Sequence, residues 1–251
     1  MSDRFDVGLI SGGQDSLAAV NVAAEEADLD ILAYLDTGTG ASANREYVEE
    51  VADGMGLQLW TLRTHESYTA AVEDHGFPGP SRHHIMYSLL KERQLGKLAT
   101  AVSGDLHLWT GVRRHESQRR MGHVQSVVEA DRWTWHAPIH DWRKSTVVAY
   151  IDDLDLPDNP LWSTLGRSAD CWCGCFGSPE EVLDAEACGL DDVVDMIGSL
   201  ESQVDRDDEK GKWAWGGMSD TQARAERASG RDMTLCSACM PHSTEAEDSH
   251  E

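Results

Sequence analysis

The fold turns on one stretch, Asp6–Gly38, which reads DVGLISGGQDSLAAVNVAAEEADLDILAYLDTG. Phe5 to Ile10 alternates and then turns apolar, the pattern of a strand that becomes buried. Ser11, Gly12 and Gly13 interrupt it, and Leu17, Ala18, Val20, Val22 and Ala23 follow as a helix would place them. A second apolar run, Asp30–Leu35, ends in Asp36, Thr37 and Gly38. Strand, glycine turn, helix and strand in this order predict a parallel βαβ unit, whose post-strand loops gather at one sheet edge. Sheets of this kind bind ligands at that edge.

The joint Ser11-Gly12-Gly13-Gln14-Asp15-Ser16 is expected to cradle phosphate. Its glycines let successive N–H groups turn toward one point, and the following helix start adds partial positive charge. The hydroxyls of Ser11 and Ser16 are further donors. The string lacks Gly-Lys-Ser/Thr, so it is not a Walker-type loop. Asp15 has two readings: a carboxylate for a Mg2+ ion that accompanies polyphosphate, or a helix-start residue complementing the dipole. Asp36 is the other nearby carboxylate.

Further along, the pattern predicts a helix over Asn44–Met55 and a strand over Leu57–Leu62. A loop is expected from Tyr68 to Pro80 around HGFPGP, then a helix over His84–Gln94. KLATAVSG (Lys97–Gly104) reads as a strand, and VVAYIDDL (Val147–Leu154) as a helix that stops at LPDNP. An amphipathic helix is expected from Pro179 to about Gln203, with Cys188 in its middle. WAWGG at Trp213–Gly217 reads as a cap on the core, with stacking on a base as the alternative. The fold class is therefore α/β: a three-layer, mostly parallel twisted sheet with helices on both faces, plus a small cysteine-rich C-terminal region.

Charge narrows the function classes. The 251 residues hold 45 acidic and 21 basic side chains, a formal net of −24, and only five of the basic residues are lysine. Nine tryptophans and clear apolar patterning argue for a folded chain rather than a disordered acidic one. A solvated acidic surface of this kind is expected of a halophilic source. It argues against non-specific nucleic-acid binding, which relies on phosphate neutralisation by Lys and Arg. No stretch reaches the roughly 20 apolar residues of a membrane span, and the N-terminus lacks a secretory pattern, so a cytoplasmic location is expected.

Two clusters stand out against this background. Arg113, Arg114, Arg119 and Arg120 fall within eight residues, and guanidinium forks match phosphate or sulfate oxygens. The alternative is a surface helix laced with ion pairs. CWCGCF supplies Cys171, Cys173 and Cys175, and CSAC supplies Cys236 and Cys239. Thiolates at this density can wrap a soft metal, with one of the five to spare and a tight turn required at Gly174. Zinc and a redox dithiol remain alternatives to a 4Fe–4S cluster.

Several segments together resemble the PAPS reductase / ATP pyrophosphatase family of the PP-loop, adenine nucleotide alpha-hydrolase-like superfamily. They are the Ser-Gly-Gly-x-Asp-Ser loop, YLDTG at Tyr34–Gly38, GFPGPSRHH with LLK at Leu89–Lys91, GVRRHESQRR at Gly111–Arg120, and PIHDW with VVAYI and NPLW. The resemblance implies an adenine nucleotide (ATP, or PAPS/APS) contacted by Ser11, Gly12, Gly13, Gln14, Asp15, Ser16, Asp36, Thr37, Gly38, Lys91, Gly111, Arg113, Glu116 and Ser117. Asp15, Arg113 and Arg119 are the expected catalytic groups, with Glu116 orienting an arginine. His83, His84 and His115 are secondary candidates. Mg2+ is expected with ATP, and the resemblance leans toward a 4Fe–4S cluster on the cysteines.

The sequence changes character beyond Asn159, so residues 1–160 are expected to form the nucleotide-binding domain. Residues 161–240 form a cysteine-rich helical region packed on it, and 241–251 a disordered acidic tail. The intact loop points to ATP cleavage into an adenylate and pyrophosphate in sulfur-transfer chemistry. Reduction of PAPS or APS to sulfite, served by a sulfur donor or reductant protein, is the alternative, and a non-catalytic nucleotide-binding subunit a third. The family's C-terminal Glu-Cys-Gly-x-His segment is absent; ACGL at Ala187–Leu190 matches only its Cys-Gly.

Overall fold

A computed structural model describes residues 4–63, 68–114, 125–178, 180–205 and 208–215. Strand β1 (Arg4–Leu9) leads through the glycine turn into helix α1 (Gln14–Ala27), then β2 (Ile31–Asp36), α2 (Ser42–Met55) and β3 (Leu59–Arg63). All three strands run parallel, and the chain then returns to β4 (Asp105–Trp109) on the other side of β1. Beyond β4 lie β6 (Thr134–His136), parallel to it, and β5 (Val127–Glu129), antiparallel at the edge. The sheet order β3-β2-β1-β4-β6-β5 reverses between β1 and β4. That switch point is where a doubly wound sheet opens a crevice at its carboxyl edge.

Alternation along the strands builds two separate cores. Val7, Leu9, Ile31, Ala33, Leu106 and Leu108 face one side, where Leu95 and Leu98 cover them. Leu32, Tyr34 and Trp109 face the other, against Leu17 and Val20 of α1, Tyr47, Val48 and Val51 of α2, and Val147 and Ile151 of α6 (Lys144–Asp152). Burying the apolar area of one such Leu or Val is worth about 1.5–3 kcal/mol. The result is the three-layer arrangement expected from the sequence. Gly8 sits where a Cβ would meet Leu32 Cδ2 at 2.7 Å, so the close contact of β1 with its neighbour needs a glycine.

A third cluster forms outside the sheet. Tyr68 and Val72 of α3 (Tyr68–His75), Phe77, Cys171, Trp172, Cys173, Cys175, and Val193, Ile197 and Leu200 of α9 (Asp191–Gln203) share one apolar interior, closed by Trp213. Trp213 and Ala214 are buried there, so the described part of WAWGG is core.

Three sequence expectations are corrected. Tyr68–His75 is helical rather than loop: Tyr68 and Val72 lie one turn apart and both are buried, and the breaker signal begins only at Gly76, whose φ of +73° ends the helix. KLATAVSG is not a strand. Helical structure runs from α4 (His83–Tyr87) through a π turn (Ser88–Glu92) into α5 (Arg93–Ala101), because Leu95 and Leu98 at helical spacing bury against the sheet. The strand falls instead on Asp105–Trp109, where Asp and His occupy the alternate positions and mask the pattern. The expected helix Pro179–Gln203 is two helices, α8 (Glu180–Ala187) and α9. Gly189, at φ +70°, ends α8 with Gly189 N–H donating to Glu186 O and Leu190 N–H to Ala185 O, a Schellman cap. Cys188 is therefore at a helix end and half-buried, not in a helix middle.

Candidate functional site

The loop after β1 and the loop after β4 meet at the switch point. Gly12 takes φ +82°, a left-handed conformation that turns the chain into α1. Inside the loop, Ser16 Oγ accepts from Ser11 N–H at 3.1 Å and donates to Gly13 O at 2.8 Å. Leu17 N–H donates to Gly13 O at 3.0 Å, the first bond of the helix. Gly111 lies directly on this start: a Cβ there would stand 2.5 Å from the carbonyl of Asp15 and 2.7 Å from Ser16 N. The absence of a side chain at Gly111 is what brings the following arginine to the loop.

Arg113 is buried, and its Nη2 donates to Asp15 Oδ2 at 3.0 Å. Its Nη1 reaches Trp142 O at 3.4 Å, and its buried Nε–H has no partner among the described residues. Lys144, at the start of α6, donates to the other oxygen of Asp15 at 3.1 Å. One carboxylate at the loop therefore serves two cations. Arg114 instead points outward to Asp141, where both side chains are solvated.

The strand ends supply the second half. Asp36, buried at the end of β2, accepts from Gly38 N–H at 2.8 Å and pairs with Arg63 and, at 3.8 Å, with Arg45. These bonds leave neither Asp15 nor Asp36 as an open carboxylate, and the residues present do not fit a Mg2+ ion held by either.

A strap of residues 168–173 crosses the same edge. Ala41 N–H donates to Ala169 O at 3.0 Å, Thr37 Oγ to Asp170 O at 3.3 Å, and Trp172 N–H to Thr39 Oγ at 3.0 Å. Ser168 Oγ lies 3.7 Å from the position a Cβ on Gly13 would take. Asp170 is buried, accepts from Ser168 Oγ at 3.2 Å, and pairs at 3.2 Å with Lys91, itself buried in the π turn. Such turns often mark functional positions in helices. A small cavity lined by His83, Met86, Leu90, Lys91, Cys171 and Cys173 separates the π turn from the cysteines.

Cys171, Cys173 and Cys175 are all buried, and Gly174 makes the required turn with φ +75°. Thr39 Oγ donates to Cys171 Sγ at 3.6 Å. Tyr68 donates its hydroxyl to Cys173 O at 2.9 Å; burial first, and then the charge of the three neighbouring thiols, raises its pKa well above the ordinary tyrosine value. Trp213 Nε lies 2.9 Å from where a Cβ on Gly174 would be, and neither it nor Trp172 Nε has a partner among the described residues. Buried N–H donors beside thiols are what a sulfur-ligated centre uses around its ligands. The donor chemistry therefore fits a soft metal. The arrangement alone does not complete a site, since no group of three or more His, Cys, Asp or Glu among the described residues is placed to hold a metal ion.

The structure thus brings together Ser11, Gly12, Gly13, Gln14, Asp15, Ser16, Gly111 and Arg113 at one loop, and Asp36, Thr37, Gly38 and Lys91 along the adjoining edge. His83 is buried against Phe176 and His84 is exposed. His115, Glu116, Ser117, Arg119, Arg120, Cys236, Cys239 and the tail 241–251 lie outside the described residues. Sequence reasoning missed Asn44, Lys144, Asn159, Trp162, Ser168 and Asp170. Only NPLW, which carries Asn159 and Trp162, had drawn notice, and nothing in its spacing said that it reaches the loop. Among the described residues no helix is long and apolar enough to cross a membrane.

Comparison with known proteins shows the family. The family model described as phosphoadenosine phosphosulfate reductase domain matches residues 7–175. An adenosine 5'-phosphosulfate reductase from Chelativorans sp. (strain BNC1) is 29% identical over 180 residues, 70% of this chain and 69% of that protein. Two solved structures are similar. A phosphoadenylyl-sulfate reductase from Candida auris, in a phosphate complex, has a TM-score of 0.47 at 18% identity, over 65% of this chain and 78% of its own. An FMN adenylyltransferase from Candida glabrata, with FAD and inorganic pyrophosphate, has 0.46 at 12% identity, over 63% and 51%.

Proposed function

Because the chain belongs to the phosphoadenosine phosphosulfate reductase domain family, we propose that it is a sulfonucleotide reductase, releasing sulfite from adenosine 5'-phosphosulfate or its 3'-phosphorylated form. The 5'-phosphate rests on the N–H groups of the Ser11–Ser16 loop, and the adenosine runs along the strand ends past Asp36, Thr37 and Gly38. Arg113 and Lys144 face the charged end, and Arg119 is a further cation for it on the ground of the sequence motif alone. A cysteine thiolate attacks the sulfate sulfur, the S–O bond to the nucleotide breaks, and the nucleotide leaves on its phosphate oxygen. A second thiol then attacks the resulting thiosulfonate, expels sulfite and leaves a disulfide, which an external dithiol protein reduces. The nucleophile is Cys236 or Cys239, whichever is not held as a metal ligand, and Cys239 is the one tested first.

The observation that carries this reading is the single Asp15 carboxylate shared by Arg113 and Lys144. Fixed cations, rather than open carboxylates for Mg2+, meet the charge at the loop. A 4Fe–4S cluster, or zinc in its place, would be held by Cys171, Cys173 and Cys175 with Cys236 or Cys239. When bound, it would keep these thiols deprotonated and cross-link the thiol turn to the later cysteine. A thiolate bound to metal is not a nucleophile, so metal analysis of anaerobically purified protein decides between these roles for Cys239.

ATP cleavage between the α and β phosphates is the second reading, favoured by the intact Ser-Gly-Gly-x-Asp-Ser loop. The test incubates the full chain with each sulfonucleotide and dithiothreitol, and separately with ATP and Mg2+. Sulfite release, lost in Cys239→Ser, is the expected result. Pyrophosphate release from ATP alone overturns it, and nucleotide binding without turnover of either marks a non-catalytic subunit.

A further inference from the structure

We infer that Asn159 and Trp162, with Asn44, are positioning residues that aim the loop's N–H groups at the phosphate. The inference rests on the reading of the loop as a phosphate cradle. Gly12 O accepts two hydrogen bonds from the scaffold: Asn159 Nδ2 at 3.0 Å and Trp162 Nε at 2.9 Å. The preceding carbonyl, Ser11 O, accepts from Asn44 Nδ2 at 3.0 Å. Two consecutive loop carbonyls are thus tied to side chains from α2 and from α7 (Pro160–Leu165) with its N-cap.

A trans peptide unit is planar, with its C=O and N–H pointing in opposite directions. Pinning Gly12 O therefore sets the direction of Gly13 N–H, and pinning Ser11 O sets that of Gly12 N–H. Both N–H groups are turned away from the brace, and Gly13 N–H makes only a long bond, 3.4 Å, to Ser11 Oγ within the loop. Successive N–H groups held in this way form a concave anion-binding nest. Without the ties, a loop of two glycines would pay ordering entropy each time it met an anion.

Asn159 uses both of its donors and one of its two acceptor lone pairs. Its Nδ2 donates to Gly12 O and to Asn44 Oδ1, each at 3.0 Å, and its Oδ1 accepts from Leu161 N–H at 2.9 Å as the N-cap of α7. Asn159 is buried and Asn44 fully so, so no water replaces these bonds cheaply. Asn44 also fills the space beside Gly12: a Cβ there would meet Asn44 Oδ1 at 2.1 Å. Trp162 is held in place by an edge contact with Tyr47, ring centroids 5.7 Å apart. The brace thus couples the loop to a segment about 150 residues later in the chain, as the separations of these bonds record.

Two near-isosteric variants of the full chain test this. Trp162→Phe keeps an aromatic ring beside Tyr47 and removes the N–H together with part of the indole's volume. Asn159→Asp still accepts from Leu161 but sets a carboxylate oxygen against Gly12 O. Ser163→Ala, on the exposed side of α7, is the control. The readouts are the amide signals of Gly12 and Gly13 in nitrogen-15 spectra, and the Kd for ATP and for adenosine 5'-phosphosulfate. The expected result is a displaced Gly13 amide and about tenfold weaker nucleotide binding in each variant, the scale of one lost buried hydrogen bond, with Ser163→Ala unchanged. Wild-type affinity in Trp162→Phe overturns the inference, and that variant alone decides if Asn159→Asp does not fold. If the wild-type protein binds neither nucleotide, the functional reading has failed, and an undisplaced Gly13 amide in Trp162→Phe overturns the brace by itself.

Discussion

Replacing Lys91 by Met tests whether the strap and the π turn are joined by a buried charge pair. The Lys91 ammonium and the Asp170 carboxylate meet at 3.2 Å with side chains only 8% and 5% exposed. Methionine keeps the length and apolar body of the side chain but strands the carboxylate. Removing one partner of a buried pair costs about 3–5 kcal/mol, because the other charge stays desolvated. Asp170 retains the Ser168 hydroxyl at 3.2 Å, which places the expected loss at the lower end, about 3 kcal/mol. At about 2–4 °C per kcal/mol for a chain of this size, the midpoint of thermal unfolding falls by about 6–12 °C. Urea unfolding of the nucleotide-free protein measures the loss directly. Adding Asp170→Asn in the Lys91→Met background removes the stranded charge and recovers at least half of it. A loss below about 1 kcal/mol for Lys91→Met, the scale of a solvated surface pair, refutes the reasoning.

Gly111→Ala places a methyl group 2.5 Å from the Asp15 carbonyl, so the loop or α1 must move. Overpacking of this kind costs about 1–3 kcal/mol, and nucleotide affinity should fall at least about tenfold; unchanged affinity in a titration counts against the site. On the sheet face beside β1, His107 Nδ1 and His136 Nε2 are hydrogen-bonded at 2.7 Å, with Arg4, Asp6 and Trp109 nearby. Burial first, then the Arg4 charge, lowers the pKa of His107. Burial, then His107 and Arg4, lowers that of His136. The unfolded chain binds more protons below about 6.5, so this stability is present above that pH and is lost as pH falls through the depressed folded values. Denaturation midpoints at about pH 7.5 and about pH 5.5 should differ in wild type, and the difference should shrink but not vanish in His136→Gln, since burial and Arg4 still lower the pKa of His107. The net charge of −24 predicts a thermal midpoint that climbs between about 0.1 and about 2 M KCl, as screening relieves self-repulsion; a flat response removes the halophilic reading.

The half of the sheet that carries the loop was legible because each of its elements has one dominant period. Residues Phe5–Leu62 pass from alternation to helical spacing and back with a glycine turn between, and the boundaries fall within two residues of those expected. β4 was not legible because Asp105 and His107 occupy its alternate positions, and the more apolar KLATAVSG next to it drew the assignment. His107 is there for its contact with His136, a partner 29 residues away. The site divides in the same way. The loop's backbone donors can be read from local sequence, whereas Gly111 was reached only through the family resemblance of GVRRHESQRR, because the strand before it was not legible. Lys144, Asn159, Trp162 and Asp170 reach the site only through long-range folding, and no local period marks a side chain whose partner lies about 80–150 residues distant.

Electrostatics connects the two halves of the site. The chain as a whole is strongly anionic, yet at both strand ends two cations share one carboxylate: Arg113 and Lys144 on Asp15, Arg63 and Arg45 on Asp36. Each trio keeps a net single positive charge. Were these pairs only structural, one cation per carboxylate would suffice, and in a chain with five lysines the surplus would be scarce. A surplus at both places is the arrangement that a ligand anionic at both ends would neutralise. On the proposed function, the charge beyond the 5'-phosphate would meet Arg113 and Lys144, while any charge on the ribose would meet Arg45 and Arg63, whose side chains are 40% and 61% exposed. The second trio is solvated and screened, so its worth per contact is small. It therefore bears on which nucleotide is preferred, whereas the buried Arg113 bears on whether any nucleotide is held. Comparing affinities for the 3'-phosphorylated and unphosphorylated sulfonucleotides in Arg45→Ala and Arg113→Lys separates these effects. Arg45→Ala should narrow the ratio between the two ligands, and Arg113→Lys should weaken both equally; the reverse pattern would place the ribose at the other end of the edge.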